Sequence, residues 1–293
     1  MTSQGTAAGL LTASGVLLCT CIVGNLFILE AIIPRRCPVS IRTLPTNELI
    51  IGSLAVSNIL NRVFNFLWLV VYLLSLCQRA GGWVYKVLDP ACMIATSSSF
   101  YFTSCLSAFY TFKISSFGLP WLFSLRRKAP ISMPYILLLL LLVSSIISVP
   151  TTMFIKLKAA NGSDLHCGDY YELSKAFGAY SLTFTILAYM VPLAVLTICS
   201  VLLIVSLCHH SRRMGGGTRA AVHRRVAKMM LVLLVFYALC VVFGQVSIQL
   251  YTEGGGISDW FVTSCFVVLA YSSGCPFVVT WGTVRLHQRL LEI

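Results

Sequence analysis

The sequence predicts an all-α integral membrane protein, a bundle of seven transmembrane helices. Three observations lead there. Of 293 residues, 58% are apolar and only 10% are charged, against roughly 25% charge in soluble domains. The mean hydropathy is +0.88, too high for a water-facing surface and opposite to the low hydrophobicity that disorder requires. The apolar residues fall in seven long runs, at about 8–33, 49–76, 93–119, 131–155, 180–207, 226–250 and 261–284. Each exceeds the about 20 residues that cross a bilayer, with length left for tilt.

Lipid offers backbone groups no partners, so these runs are expected to be helices rather than strands. The first run follows no basic segment and precedes no small-residue cleavage pattern, so it reads as a retained helix rather than a signal peptide. No repeat, low-complexity tract or long linker divides the chain, and residues 1–293 read as one domain.

Charge predicts orientation. The net charge is +12. In a soluble protein that would suggest nucleic acid; here it reads as cytosolic loops rich in Lys and Arg, some of them against anionic lipid, and no nucleic-acid partner is expected. With the N-terminus outside, the inner loops and tail collect fourteen basic residues: Arg35, Arg36, Arg42, Arg126, Arg127, Lys128, Arg212, Arg213, Arg219, Arg224, Arg225, Lys228, Arg285 and Arg289. The outer loops hold five, with most of the acids. The bias predicts N-terminus out and C-terminus in the cytosol. The single N-x-S/T sequon, Asn161-Gly162-Ser163, falls in the longest outer loop, where it is expected to be glycosylated.

Seven of the twelve cysteines (Cys19, Cys21, Cys105, Cys199, Cys240, Cys265 and Cys275) lie in apolar runs, where a free thiol behaves as a small hydrophobe. No C-x-x-C pair offers a metal or redox site, and no cofactor is expected. Cys77, Cys92 and Cys167 lie on the oxidising side, so a disulfide from Cys167 to either Cys92 or Cys77 would tie the second outer loop over the bundle.

The chain lacks G-x-S-x-G, H-E-x-x-H and P-loop patterns. A carboxylate dyad inside the membrane is also missing, since Glu30 is the lone acid in a predicted span; an enzyme is not expected. Ion-coupled transport usually places several ionisable groups at mid-membrane. Here Glu30 and Lys113 fall near helix ends, where long side chains snorkel, which leaves Arg62.

The polar residues within spans are more telling. Asn25 sits in the first run; Asn58, Asn61, Arg62 and Asn65 follow in the second. Asn58 and Arg62 are four apart and share a helix face. Amides in lipid seek partners across helices, so Asn25, Asn58 and Arg62 form either a glue that fixes packing or a switch that rearranges. In the outer halves, Asn65, Trp68, Cys92, Thr96, Tyr180, Phe184, Gln245 and Gln249 offer aromatic walls with amides and a hydroxyl. That lining suits a neutral small organic ligand, or serves ordinary interhelical contact.

Seven helices with basic inner loops suggest the G-protein-coupled receptor type. The usual rhodopsin-class marks are replaced by others. Leu106, Ser107, Phe109, Tyr110, Lys113, Ile114 and Phe117 match the string L-S-x-F-Y-x-x-K-I-x-x-F; Leu202, Leu203, Ile204, Ser206, Leu207, His210 and Met214 match L-L-I-x-S-L-x-x-H-x-x-x-M. His223, Lys228 and Tyr237 keep the spacing that opens the sixth helix; Leu54, Ala55 and Ser57 fit L-A-x-S; Asn25, Phe27 and Ile28 fit the first. In these features the chain resembles the type 2 (bitter) taste receptor family, as a divergent member. The family's usual Arg after L-A-x-S is Asn58, with Arg62 one turn on. Its seventh-helix H-S-x-x-L becomes Cys275, Pro276 and Val279. Its Trp and Asn on the outer third helix become Cys92 and Thr96.

The resemblance implies a chemosensory receptor at the plasma membrane that binds a small bitter-tasting molecule in its outer half and activates a heterotrimeric G protein, of the gustducin or inhibitory type. Pheromone or odorant reception is the alternative, and a seven-span transporter or channel a distant one. Lys113, His210, His223, Lys228 and Tyr237 would form the G-protein-facing switch at the inner ends of helices 3, 5 and 6. The family has no regular disulfide at Cys167.

Overall fold

The computed structural model describes residues 4–33, 45–74, 76, 84–114, 120–157, 171–173, 177–211, 218–254 and 259–291. Within them lie the long helices α1 (Gln4–Ile32), α2 (Thr46–Leu73), α3 (Asp89–Ile114) and α4 (Pro120–Ser148). A π-helical turn, Val84–Leu88, leads into α3. α5 runs unbroken through Phe177–Thr185, a π-helical stretch Ile186–Met190 and Val191–Ser211. α6 (Thr218–Gly254), α7 (Asp259–Gly282) and the short α8 (Val284–Leu291) complete the order.

Five stretches among the described residues are long and apolar enough to cross a membrane: Ala8–Ile32, Thr46–Leu73, Ile131–Ser148, Ala179–Ser206 and Val222–Val246. Their outward faces carry large apolar side chains, among them Val23, Ile131, Ile146, Leu182 and Val205. A water-facing surface does not tolerate such a belt, whereas hydrocarbon requires it. α3 is less apolar for the opposite reason. It is the central helix, packed on α2, α4 and α5, and buries Thr96, Ser97, Ser98, Ser99, Thr103, Ser104, Ser107 and Thr111. Several of these hydroxyls bond back to their own helix, as Thr96 to the Cys92 carbonyl (2.8 Å) and Thr103 to that of Ser99 (2.8 Å). Those that bond back are satisfied without water, while Ser98 Oγ and Ser107 Oγ have no partner among the described residues.

α1 closes the bundle by packing on both α2 and α7. Between α4 and α5 the chain forms a short helical turn, Thr151–Phe154, and two three-residue strands, β1 (Ile155–Leu157) and β2 (Tyr171–Leu173). They pair antiparallel, with Lys156 opposite Glu172. Hydropathy gives no sign of this hairpin, which is too short to show a period-two pattern. It marks one end of the bundle, called the hairpin end below.

Candidate functional site

Two prolines determine where backbone acceptors become available. Pro276 lies inside α7. Having no N–H, it leaves the Ser272 carbonyl, four residues back, without its helical donor. The Cys21 thiol of α1 approaches that carbonyl at 3.4 Å, and the Asn58 carbonyl of α2 at 3.7 Å. Pro192 in α5 does the same to the Ala188 carbonyl, and the ladder widens to a π turn immediately before it. The Val191 N–H reaches Ile186 instead. The turn presents carbonyls to neighbouring helices: Tyr101 donates to Leu187 (2.7 Å), Tyr237 to Tyr189 (2.7 Å), and Ser104 to Pro192 itself (2.7 Å). Such π bulges recur at functional positions.

The first group of polar residues is centred on Asn61. Its amide donates to Ser272 Oγ of α7 (3.0 Å), and its Oδ1 accepts from Thr96 of α3 (2.8 Å) and from Asn65 one turn along. Asn58 Oδ1 accepts from Ser99 (2.7 Å). Asn25 donates to the Cys21 carbonyl (2.8 Å) and sulfur (3.3 Å). Asn25, Asn58 and Arg62 therefore share no hydrogen bond with one another. Arg62 is 0% exposed, and its three nitrogens have no hydrogen-bond partner among the described residues.

An aromatic ladder forms the second group. Tyr180 and Phe184 are 6.3 Å apart between ring centres, Phe184 and Tyr189 5.5 Å, and Tyr189 and Phe100 5.6 Å. Phe100 then stacks on Tyr237 at 4.0 Å and contacts Tyr271 at 5.3 Å. Tyr271 shares a 2.8 Å hydrogen bond with Thr103. The ladder descends from the hairpin end of α5 to a point where α3, α5, α6 and α7 meet.

The sequence-predicted ligand residues fall into two sets. Asn65 and Thr96 meet on Asn61, while Cys92 is buried with Trp68 packed against it, Trp68 itself stacked on Tyr72. Across the bundle, Tyr180 and Phe184 belong to the aromatic ladder, and Gln245 donates to Thr185 (3.0 Å). No hydrogen bond or ring contact links the two sets directly among the described residues; Phe100, one turn along α3 from Thr96, lies between them. Of the switch residues, Lys113 and Lys228 are exposed, Lys113 lying 5.8 Å over the Phe109 ring, and His223 is half-buried. Tyr237 does not stand with them. It is 0% exposed and about four turns along α6 from His223, so it acts within the bundle rather than on a face open to a partner. Asn161, Cys77 and Cys167 lie outside the described residues, as do the side chains of His210 and Gln249. Asn61, Ser99, Phe100, Tyr189, Tyr271 and Ser272 complete the two groups; Asn61 and Ser99 stand out in the sequence as polar residues within apolar runs, whereas Phe100, Tyr189, Tyr271 and Ser272 do not. The four-residue spacing of Asn61 and Asn65, and Pro192, are the signals that point to them.

A bundle of lipid-facing helices around a polar and aromatic interior defines the class: a helical integral membrane protein with the fold of the G-protein-coupled receptor type. The family model described as "Taste receptor protein (TAS2R)" matches residues 1–293, and the chain belongs to that family. It is similar to mouse taste receptor type 2 member 136, at 26% identity over 77% of this chain and 75% of the relative. Human taste receptor type 2 member 9 is 28% identical over 71% of this chain and 69% of the relative. Taste receptor type 2 member 7 of Macaca mulatta is 26% identical over 93% and 88%.

Proposed function

We propose that this chain is a bitter-compound receptor of the plasma membrane, with its N-terminus outside, that binds a small organic agonist near the hairpin end and activates a heterotrimeric G protein at the other. The ligand would sit between the set on α2 and α3 (Asn65, Trp68, Thr96) and the set on α5 and α6 (Tyr180, Phe184, Gln245). The family's relatives are named as type 2 taste receptors, and a chemosensory role follows from that kinship.

The observation that carries the mechanism is the aromatic ladder. A ligand that displaces Tyr180 or Phe184 moves Tyr189, whose carbonyl holds Tyr237 and whose ring touches Phe100. Close-packed rings do not yield gradually; they change between discrete arrangements. α6 would respond, and its far end carries His223 and Lys228, beside the loop joining it to α5. An agonist need only bind one arrangement more tightly than the other. The G protein, of gustducin or inhibitory type, would then meet Lys113, His210, His223 and Lys228. No bond is made or broken by the receptor.

The test is nucleotide exchange on purified G protein with the receptor in lipid nanodiscs, screened against a panel of bitter compounds, beside a flux assay in liposomes. Ligand-dependent exchange without flux supports the receptor. Flux without exchange sinks it in favour of a transporter.

A further inference from the structure

A cavity of about 640 Å³ is lined by α1, α2, α3 and α4 and by no residue of α5, α6 or α7. That volume falls in the range of about 300–1,000 Å³ typical of small-molecule sites. None of the candidate agonist residues lines it.

Small side chains make the space. α2 and α3 approach closely enough for Ser57 to donate to the Ala95 carbonyl at 3.0 Å. Gly52, Ser53, Ser57, Ala91 and Ala95 form the floor along this seam. Ile33 of α1, Val56 and Leu60 of α2, and Leu138 of α4 also line the cavity, and all four are exposed. On a transmembrane bundle such residues face hydrocarbon, so the cavity is a groove that opens sideways into the bilayer rather than toward water. A β-carbon built on Gly52 would meet Leu29 Cδ2 at 3.9 Å, ordinary van der Waals contact, so a larger side chain there has room to enter the groove.

The groove has a direction. From Glu48 to Phe64 its lining follows α2 for sixteen residues, about 24 Å of a hydrocarbon core about 30 Å thick. Glu48 is the one charged residue in that lining. It is 7% exposed and stands two residues inside the span Thr46–Leu73, at the end away from the hairpin. An acid in the first turn of α2 suits the helix dipole. That accounts for its charge but not for its place against an apolar groove.

Glu48 also selects the occupant. A groove open to hydrocarbon fills from the bilayer. A phospholipid would bring its phosphate toward a carboxylate with no base in the lining to balance it, and like charges brought together are costly. A neutral hydroxyl at that depth instead donates to the carboxylate in a charge-assisted bond. A carboxylate has about four acceptor sites, so contacts within the protein leave it able to accept one more. A flat, rigid apolar body suits a floor of small residues and loses little freedom on binding.

We propose that the α1–α4 groove binds one membrane sterol, with its hydroxyl donating to Glu48, its rings over Gly52 and its tail toward Phe64. A sterol carries its single hydroxyl at one end of a fused-ring plate and holds it at the membrane boundary, where Glu48 lies. The site is separate from the agonist reading and is read without agonist or G protein, so it stands or falls independently of that reading.

The experiment is photolabelling of the full chain in phosphatidylcholine nanodiscs with a diazirine analogue of cholesterol, with the adducts mapped by mass spectrometry. Adducts are expected on the α2 segment 48–64 or the α4 segment 137–141, displaced saturably by unlabelled cholesterol. Cholesterol methyl ether, which has no hydroxyl to donate, should compete several-fold more weakly; this comparison needs no variant. Gly52→Leu should lower labelling of these segments about tenfold while its melt in sterol-free nanodiscs matches wild type. Glu48→Gln should weaken competition by cholesterol several-fold. Adducts confined to other helices overturn the site, as does undiminished labelling in Gly52→Leu. Equal competition by cholesterol and its methyl ether overturns the role of Glu48. Displacement by dodecylamine or by added phosphatidylserine but not by cholesterol overturns the assignment to a sterol.

Discussion

Gly282 of α7 lies against Met229 of α6 with no room for a side chain: a β-carbon built on Gly282 would stand 2.6 Å from Met229 Cβ. A β-carbon cannot swing aside as a side-chain tip can, so the clash falls on the helix axes. Gly282→Ala must push α6 and α7 apart at the end away from the hairpin. Overpacking of this kind costs about 1–3 kcal/mol. The expected outcome is a lowered unfolding temperature in detergent, read by a thiol-reactive or intrinsic-fluorescence melt. Gly244, which has open space around it, provides the control: Gly244→Ala should leave the melt unchanged or raise it. Equal melts for the two variants would refute the packing argument.

Tyr237→Phe removes the donor to the Tyr189 carbonyl while keeping the ring on Phe100. Losing a buried hydrogen bond and leaving its acceptor unpaired costs about 1–3 kcal/mol. If the ladder couples agonist to G protein, the midpoint of the agonist response should shift by a larger factor than in Tyr101→Phe, which loses a similar bond to Leu187 on the same π turn but has no ring contact with Phe100 among the described residues. The measurement is a dose–response curve at matched surface expression.

Asn61→Ala removes three side-chain bonds, yet each partner retains another. Thr96 keeps the Cys92 carbonyl, Asn65 keeps the Asn61 carbonyl and Ser272 keeps the Val268 carbonyl. The expected loss is therefore about 1–2 kcal/mol, since interhelical polar bonds in membranes average below 1 kcal/mol each. Double-mutant cycles with Thr96→Val and Ser272→Ala measure it. Coupling near zero in both cycles would show that Asn61 is not the hub.

The sequon predicts that Asn161→Gln increases gel mobility and removes sensitivity to glycosidase. The same blot tests orientation, because only a loop on the lumenal side receives glycan. Unchanged mobility would remove the glycan and its support for N-terminus out.

His210→Ala and His223→Ala test the far end. Each substitution removes a ring that can donate and accept hydrogen bonds beside the loop joining α5 to α6. Neither histidine is among the fourteen Arg and Lys residues that orient the chain, so surface expression should stay intact while basal or agonist-driven exchange changes. Unchanged exchange in both variants would dispose of the switch.

The fold class was legible in the sequence because lipid leaves the backbone few choices. Apolar runs such as 131–148 must be helical, since no water is present to pair their amides. The membership in the taste receptor family was legible too, through fixed-spacing strings at the ends of the third and fifth helices. Much of the interior was not legible. Four-residue spacing shows that Asn61 and Asn65 share a face, but not that this face meets Thr96 of α3 and Ser272 of α7. Tyr237 keeps the family spacing from His223, which suggested a common surface. Four turns of helix carry it instead into the bundle, against Phe100.

Sequence alone therefore determined that the chain is a helical membrane protein, where its apolar runs lie and which family it joins, because these depend on composition and on local spacing. Tertiary structure decided which polar groups answer one another. Pro276 could be seen to withhold an N–H from the Ser272 carbonyl, but only the packing of α1 brought the Cys21 thiol to 3.4 Å from that carbonyl. Only packing, likewise, buried the Arg62 guanidinium with no hydrogen-bond partner among the described residues. A helix fixes the direction of its own side chains, whereas their partners lie on other helices, from tens to more than two hundred residues away in sequence, placed by the close packing of the whole bundle.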